Sequence, residues 1–222
     1  MNSPSLIQLI AAGVLPVLLA ITVHEAAHGY AARYLGDKTA EMMGRLTLNP
    51  LKHIDPLGTI VIPLALYLIS NGAFTFGYAK PVPVLARNLR NPRRDMALVA
   101  LAGPLSNLLM ATGWAALLLV FRAAGVTEQF FLLMAQIGLI SNIGLMAFNL
   151  LPVPPLDGGR IAVSLLPPQP AYWLARAEPY GFFIVMGLVL LNVLGDLWMR
   201  PVMSAAYALI TVLLTPLKLL LA

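Results

Sequence analysis

"LIQLIAAGVLPVLLAITVHEAAHGYAARYL", residues 6–35, decides how the chain is read. It exceeds the roughly 20 predominantly apolar residues a membrane-spanning helix needs. Yet His24, Glu25 and His28 stand together just past its middle. Ionisable groups at that depth are costly, and where they occur they usually mark function. Both the fold and the chemistry follow from why they are there.

The rest of the chain agrees that a bilayer is the solvent. Of 222 residues, 59% are hydrophobic and 10% are charged, where a soluble domain carries about 25% charged. Further apolar windows run over Met96–Phe121, Phe130–Leu151, Gly181–Leu194 and Pro201–Leu221, with a weaker one at Leu57–Ser70. These predict an all-α polytopic membrane protein of five to six segments in a single domain, 1–222. Its motif-bearing core covers about 5–160, and its C-terminal helices about 179–222. The first window reads as a retained helix rather than a cleaved signal, since no basic residue precedes it and it carries the polar cluster.

The loops carry the charge. Gly36 marks the end of the first helix. Thr39 to Asp55 reads as a mixed polar loop with a strand as an option. "GAFTFGYAKPVPVL", residues 72–85, is aromatic and proline-interrupted, which favours an extended edge. Pro167, Pro168 and Pro170 read as a rigid loop. The net charge of +5 is no nucleic-acid signature, because the basic residues flank apolar segments. "RNLRNPRR", residues 87–94, reads as a cytoplasmic loop beside anionic lipid headgroups. With no cysteine in the chain, disulfides and thiolate metal sites are excluded.

His24 and His28, four apart, share one helix face. Two imidazoles so placed can hold one metal ion, and zinc suits nitrogen ligands best. Glu25 adjoins the first of them, where it can reach water at the metal and act as general base. A hydrolytic zinc site usually takes three protein ligands. His53 and several acids are available for the third, and Asp157, in "NLLPVPPLDGGR", is the most suggestive. On spacing alone Asp157 could equally be the N-cap of the next helix.

"HEAAH" (24–28), "GPLSN" (103–107) and "NLLPVPPLDGG" (149–159) occur in that order, and together they resemble the site-2 protease family of intramembrane zinc metalloproteases. "NPLKHIDPLGTI" (49–60) and "YAKPVPV" (78–84) are similar to its compact bacterial branch. The resemblance implies one zinc ion held by His24, His28 and Asp157, with Glu25 catalytic. It implies that Asn149 positions substrate or its oxyanion and that Asn107 is a substrate-side motif residue, although either amide could instead simply join helices. His53 is then left without a ligand role. The chain is too short for the PDZ or CBS domains that many members carry.

The expected activity is hydrolysis of a peptide bond in or near a transmembrane segment of another protein, as in regulated intramembrane proteolysis. The substrate segment would unwind and pair with an edge such as Phe74–Val84. A metal-ion transporter or channel with a His/Glu relay is the alternative, but the site has no second copy, whereas many transporters are built from repeats. Leu57–Ser70 is too short to span and is expected to re-enter or lie at the interface, keeping both basic loops cytoplasmic and the zinc nearer that side. The membrane would be that of a bacterium or archaeon.

Overall fold

A computed structural model describes residues 4–53, 55–69 and 80–221. Helix α1 spans Leu6–Tyr34, and its N-terminus is closed by a capping box between Ser5 and Gln8. Such a box satisfies two backbone N–H groups that the first turn would leave open. After Leu35, Gly36 takes φ 116°, a backbone region where a side chain is strained.

The segment read as a mixed loop holds a short helix, α2 (Thr39–Met42), and a single 3₁₀ turn at Pro50–Lys52. No strand occurs among the described residues. A π-turn at Pro56–Val61 leads into α3 (Ile62–Ile69). Residues 72–79, most of the expected edge, lie outside the described residues. Its tail, Lys80–Leu85, belongs to no helix or strand.

Helix α4 (Pro92–Ala123) and α5 (Gln129–Asn149) follow the predicted windows within a few residues. The turn after α5 leads into α6 (Asp157–Leu165). The prolines read as a loop in fact open α7 (Pro168–Arg176). Proline fits the first turn of a helix, where the missing N–H would have no partner. Helices α8 (Gly181–Leu190) and α9 (Arg200–Leu220) complete the chain. Among the described residues, five stretches are long and apolar enough to cross a membrane: Leu6–Tyr34, Pro92–Ala123, Gln129–Asn149, Pro168–Leu190 and Leu194–Leu220. The fourth thus begins before the window read from the sequence.

Helix α4 is central and packs against α1, α5, α6 and α9. Lipid tails are as apolar as leucine, so membrane helices associate by close packing and polar contacts rather than by hydrophobic burial. The seams here are accordingly small. Ala12, Pro16, Ala20 and Ala32 are buried on α1 at four-residue intervals, and His24 and His28 occupy the two steps between. Ala111 and Ala115 of α4 meet Leu139, Ile143 and Met146 of α5, with Ala206 and Ile210 of α9 behind. The histidines therefore belong to the seam between helices and do not face lipid.

Candidate metal centre and catalytic cleft

His24 and His28 lie against α4 because α4 is bare there. A Cβ on Gly103 would stand 2.6 Å from His24 Cε1 and closer still to the His28 ring. Each imidazole then finds a partner on the same helix. His28 Nδ1 is 2.7 Å from the Val99 carbonyl oxygen, and His24 Nδ1 is 2.6 Å from Asn107 Oδ1. A carbonyl oxygen can only accept, so His28 Nδ1 carries the proton. Asn107 Nδ2 faces the Ala20 carbonyl at 3.1 Å, so the other end of that amide is oxygen and His24 Nδ1 also donates. Both Nε2 atoms are left with free lone pairs.

Those lone pairs point at one place. The two Nε2 atoms are 3.1 Å apart, and Asp157 Oδ2 lies 3.2 Å from His24 Nε2 and 3.3 Å from His28 Nε2. Asp157 reaches them because the chain turns sharply before α6. A Cβ on Gly158 or Gly159 would strike the backbone of residues 150–154, so only glycine lets the turn close this tightly. Asp157 is the first residue of α6 and makes no side-chain cap, which sets aside the capping alternative.

Asp157 Oδ2 is buried and receives no hydrogen bond, although its distances to the histidines are those of an ion pair. An ion pair would need a protonated imidazole, and the neutral tautomers place three electron pairs face to face instead. That arrangement is repulsive unless a proton or a cation sits at its centre. Donors about 2.0–2.2 Å from a tetrahedral ion stand roughly 3.3–3.5 Å apart, close to the separations seen. The donor set, two imidazoles and a carboxylate, is one that zinc accepts. Among the described residues these three form the group able to hold a metal.

The metal centre opens into a cleft of about 110 Å³ that Glu25, Met96, Asn149 and Arg160 also line. Glu25 Oε2 accepts a hydrogen bond of 2.8 Å from the Val82 backbone N–H, which ties its carboxylate to the segment that follows Lys80. Asn149 Nδ2 donates to the Leu145 carbonyl at 3.0 Å, and its side chain borders the cleft. Asn107 does not border it: the residue is fully buried behind His24 with its polar atoms engaged inside the bundle, so the expected substrate contact is not what its position offers. His53 stands apart from the metal centre, buried, with Nε2 donating to the Thr47 carbonyl at 2.9 Å. Sequence reasoning missed Val99, Val82 and Gly103. The first two act through backbone atoms, which leave no trace in residue type. Gly103 could have been read from the helix-interior glycine of "GPLSN", since such a glycine usually has a packing reason.

The model of peptidase family M50 matches residues 12–134 and 122–191. The chain belongs to this family, the site-2 proteases. It is 40% identical to a Bacillus subtilis protein provisionally named zinc metalloprotease YwhC, over 86% of this chain and 85% of that one. It is 31% identical to a Mycolicibacterium smegmatis protein provisionally named zinc metalloprotease Rip2, over 78% of this chain and 64% of that one. The Rip2 protein of Mycobacterium tuberculosis H37Rv is 30% identical with the same coverage. No solved structure gives a significant match. As an M50 member with five stretches among the described residues long and apolar enough to cross a membrane, the chain is an integral membrane metallopeptidase, and its relatives' names specify zinc.

Proposed function

We propose that this M50 peptidase cuts peptide bonds within or next to transmembrane segments of other membrane proteins, the reaction of regulated intramembrane proteolysis. One zinc ion would be held by His24, His28 and Asp157. The observation that carries this reading is the meeting of three buried lone pairs beside Glu25, at the end of a cleft lined by Pro81, Val82 and Val84.

Zinc, when bound, supplies a Lewis acid for the scissile carbonyl and lowers the pKa of water in the site to near neutrality. The protein does the rest. Glu25 keeps Oε2 on the Val82 N–H and uses Oε1 to take a proton from the attacking water and pass it to the leaving amine. Asn149 has a second amide N–H to offer to the developing oxyanion. Pro81, Val82 and Val84 line the catalytic cleft and also an adjoining cavity of about 420 Å³. An unwound substrate segment laid along them gains backbone hydrogen bonds by strand addition. The site lies nearer the cytoplasmic face of a bacterial membrane, with the basic loops on that side.

The test is Glu25→Gln in proteoliposomes with a model transmembrane substrate. Cleavage should vanish while zinc content stays near one per chain. Cleavage at the wild-type rate, or metal flux without cleavage, overturns the reading.

A further inference from the structure

Behind His24 a chain of hydrogen bonds runs through all three core helices. His24 Nδ1 meets Asn107 Oδ1 at 2.6 Å, Asn107 Nδ2 donates to Asn142 Oδ1 at 2.9 Å, and Asn142 Nδ2 donates to the Gly138 carbonyl at 2.8 Å. Both asparagines are fully buried. An asparagine amide can in principle turn end for end, and histidine can place its proton on either nitrogen. Here neither is free. The chain ends on the Gly138 carbonyl and has a side branch to the Ala20 carbonyl, and carbonyls only accept. Every donor must therefore point away from His24, so the imidazole must be the first donor.

We infer that Asn142 is a positioning residue for the metal centre: acting through Asn107, it holds His24 in the tautomer and ring orientation that aim Nε2 at the metal. The inference rests on the reading of His24 as a ligand. Asn142 touches neither metal nor substrate. What it controls is the Asn107 amide, whose oxygen faces His24 only while its two N–H groups stay engaged by Ala20 and Asn142. Removing the Asn142 acceptor leaves a buried N–H without a partner and frees the amide to swing. Hydrogen-bond partners behind a metal ligand typically change metal affinity ten- to a hundredfold. Simple helix gluing predicts a different result, namely a less stable protein whose metal site is unchanged.

The experiment compares Asn142→Leu, Asn142→Asp and Asn107→Leu in the full chain in detergent. Zinc affinity is read by competition with a chelator, and the metal-free protein labelled with ¹⁵N-histidine is examined by NMR, where three histidines give few signals. Asn142→Leu should weaken zinc binding about tenfold and Asn107→Leu up to about a hundredfold. The double variant should be no worse than Asn107→Leu, because the two act in series. Asn142→Asp should stay within about threefold of wild type, since a buried carboxyl remains neutral and so keeps both an acceptor and a donor. In Asn142→Leu the His24 signals should show a mixture of tautomers. If Asn142→Leu prevents folding, Asn142→Ala should give the same loss. Unchanged affinity and tautomer in folded Asn142→Leu or Asn142→Ala overturn the inference. His24→Ala is the control: if it too leaves zinc binding unchanged, the failure lies in the ligand assignment and not in Asn142.

Discussion

Gly103 and His28 are in contact without any side chain on the glycine: the imidazole occupies the space where a Cβ would be. The close fit of α1 on α4 at the metal centre depends on that missing carbon.

Gly103→Ala should therefore push both histidines off α4 and break their Nδ1 hydrogen bonds. Alanine is the better helix former by nearly 1 kcal/mol, so α4 itself should not suffer. Zinc affinity should fall on the order of ten- to a hundredfold, the range for a disturbed ligand orientation. Chelator competition on the folded variant measures it, and wild-type affinity would contradict the packing argument.

Asp157→Ala should lose both zinc and activity, whereas His53→Ala should keep its zinc. Asp157 Oδ2 is one of the three converging donors, while His53 Nε2 is committed to the Thr47 carbonyl. Metal analysis of the two purified variants decides. The opposite pattern would make His53 the third ligand.

Asn149→Ala should leave zinc content intact and slow turnover roughly a hundred- to a thousandfold, the usual cost of losing one oxyanion donor. The comparison is turnover at saturating substrate against metal content. A variant as fast as wild type would leave Asn149 only its bond to Leu145.

Asp37 ties the end of α1 to the segment that edges the cleft. Its carboxylate accepts from Thr39, from the Leu85 N–H at 2.7 Å and from Asn88 Nδ2 at 3.0 Å. Burial would raise its pKa, but these donors outweigh burial and hold it below the ordinary value. A depressed folded pKa adds stability above the unfolded pKa of about 3.9, and that stability is lost as pH falls through the folded value. Asp37→Asn should thus cost about 1.5–3 kcal/mol at neutral pH, the range for hydrogen bonds to a charged group. The gap should close in acid. Unfolding midpoints of both proteins from pH 7 to pH 3 test this, and a gap constant with pH would show that the charge is not what matters.

Single cysteines at Lys52 and Arg90 should both react with an impermeant maleimide from the same side of the membrane. Pro56–Ile69 is about 14 residues of helix, roughly 21 Å at 1.5 Å per residue, against about 30 Å of hydrocarbon. Labelling from opposite sides would mean that the stretch spans and that Asp157 approaches the histidines from the other face.

Much of this was legible in the residues themselves. The apolar windows marked the crossing helices because length and composition suffice in lipid, and the four-residue step from His24 to His28 placed both imidazoles on one face. Asp157 stayed ambiguous until the family motif was considered, since a carboxylate opening a helix is usually a cap. The prolines from Pro167 misled because proline both breaks a helix and begins one. The ring orientations were hidden for a different reason: they depend on the Val99, Ala20 and Gly138 carbonyls, and every residue type carries the same carbonyl.

The three groups proposed to hold the metal are far apart along the chain, two in α1 and one beyond α5. A ribosome must therefore deliver more than half of the protein into the membrane before the third group exists. Until then the growing chain carries Glu25 and two imidazoles without the carboxylate that would complete the proposed ligand set. A product cut short before Asp157 keeps the most recognisable motif of a protease and lacks its complete ligand set. On the proposed reading, a fragment that ends before Asp157 would carry no proteolytic capacity into the membrane.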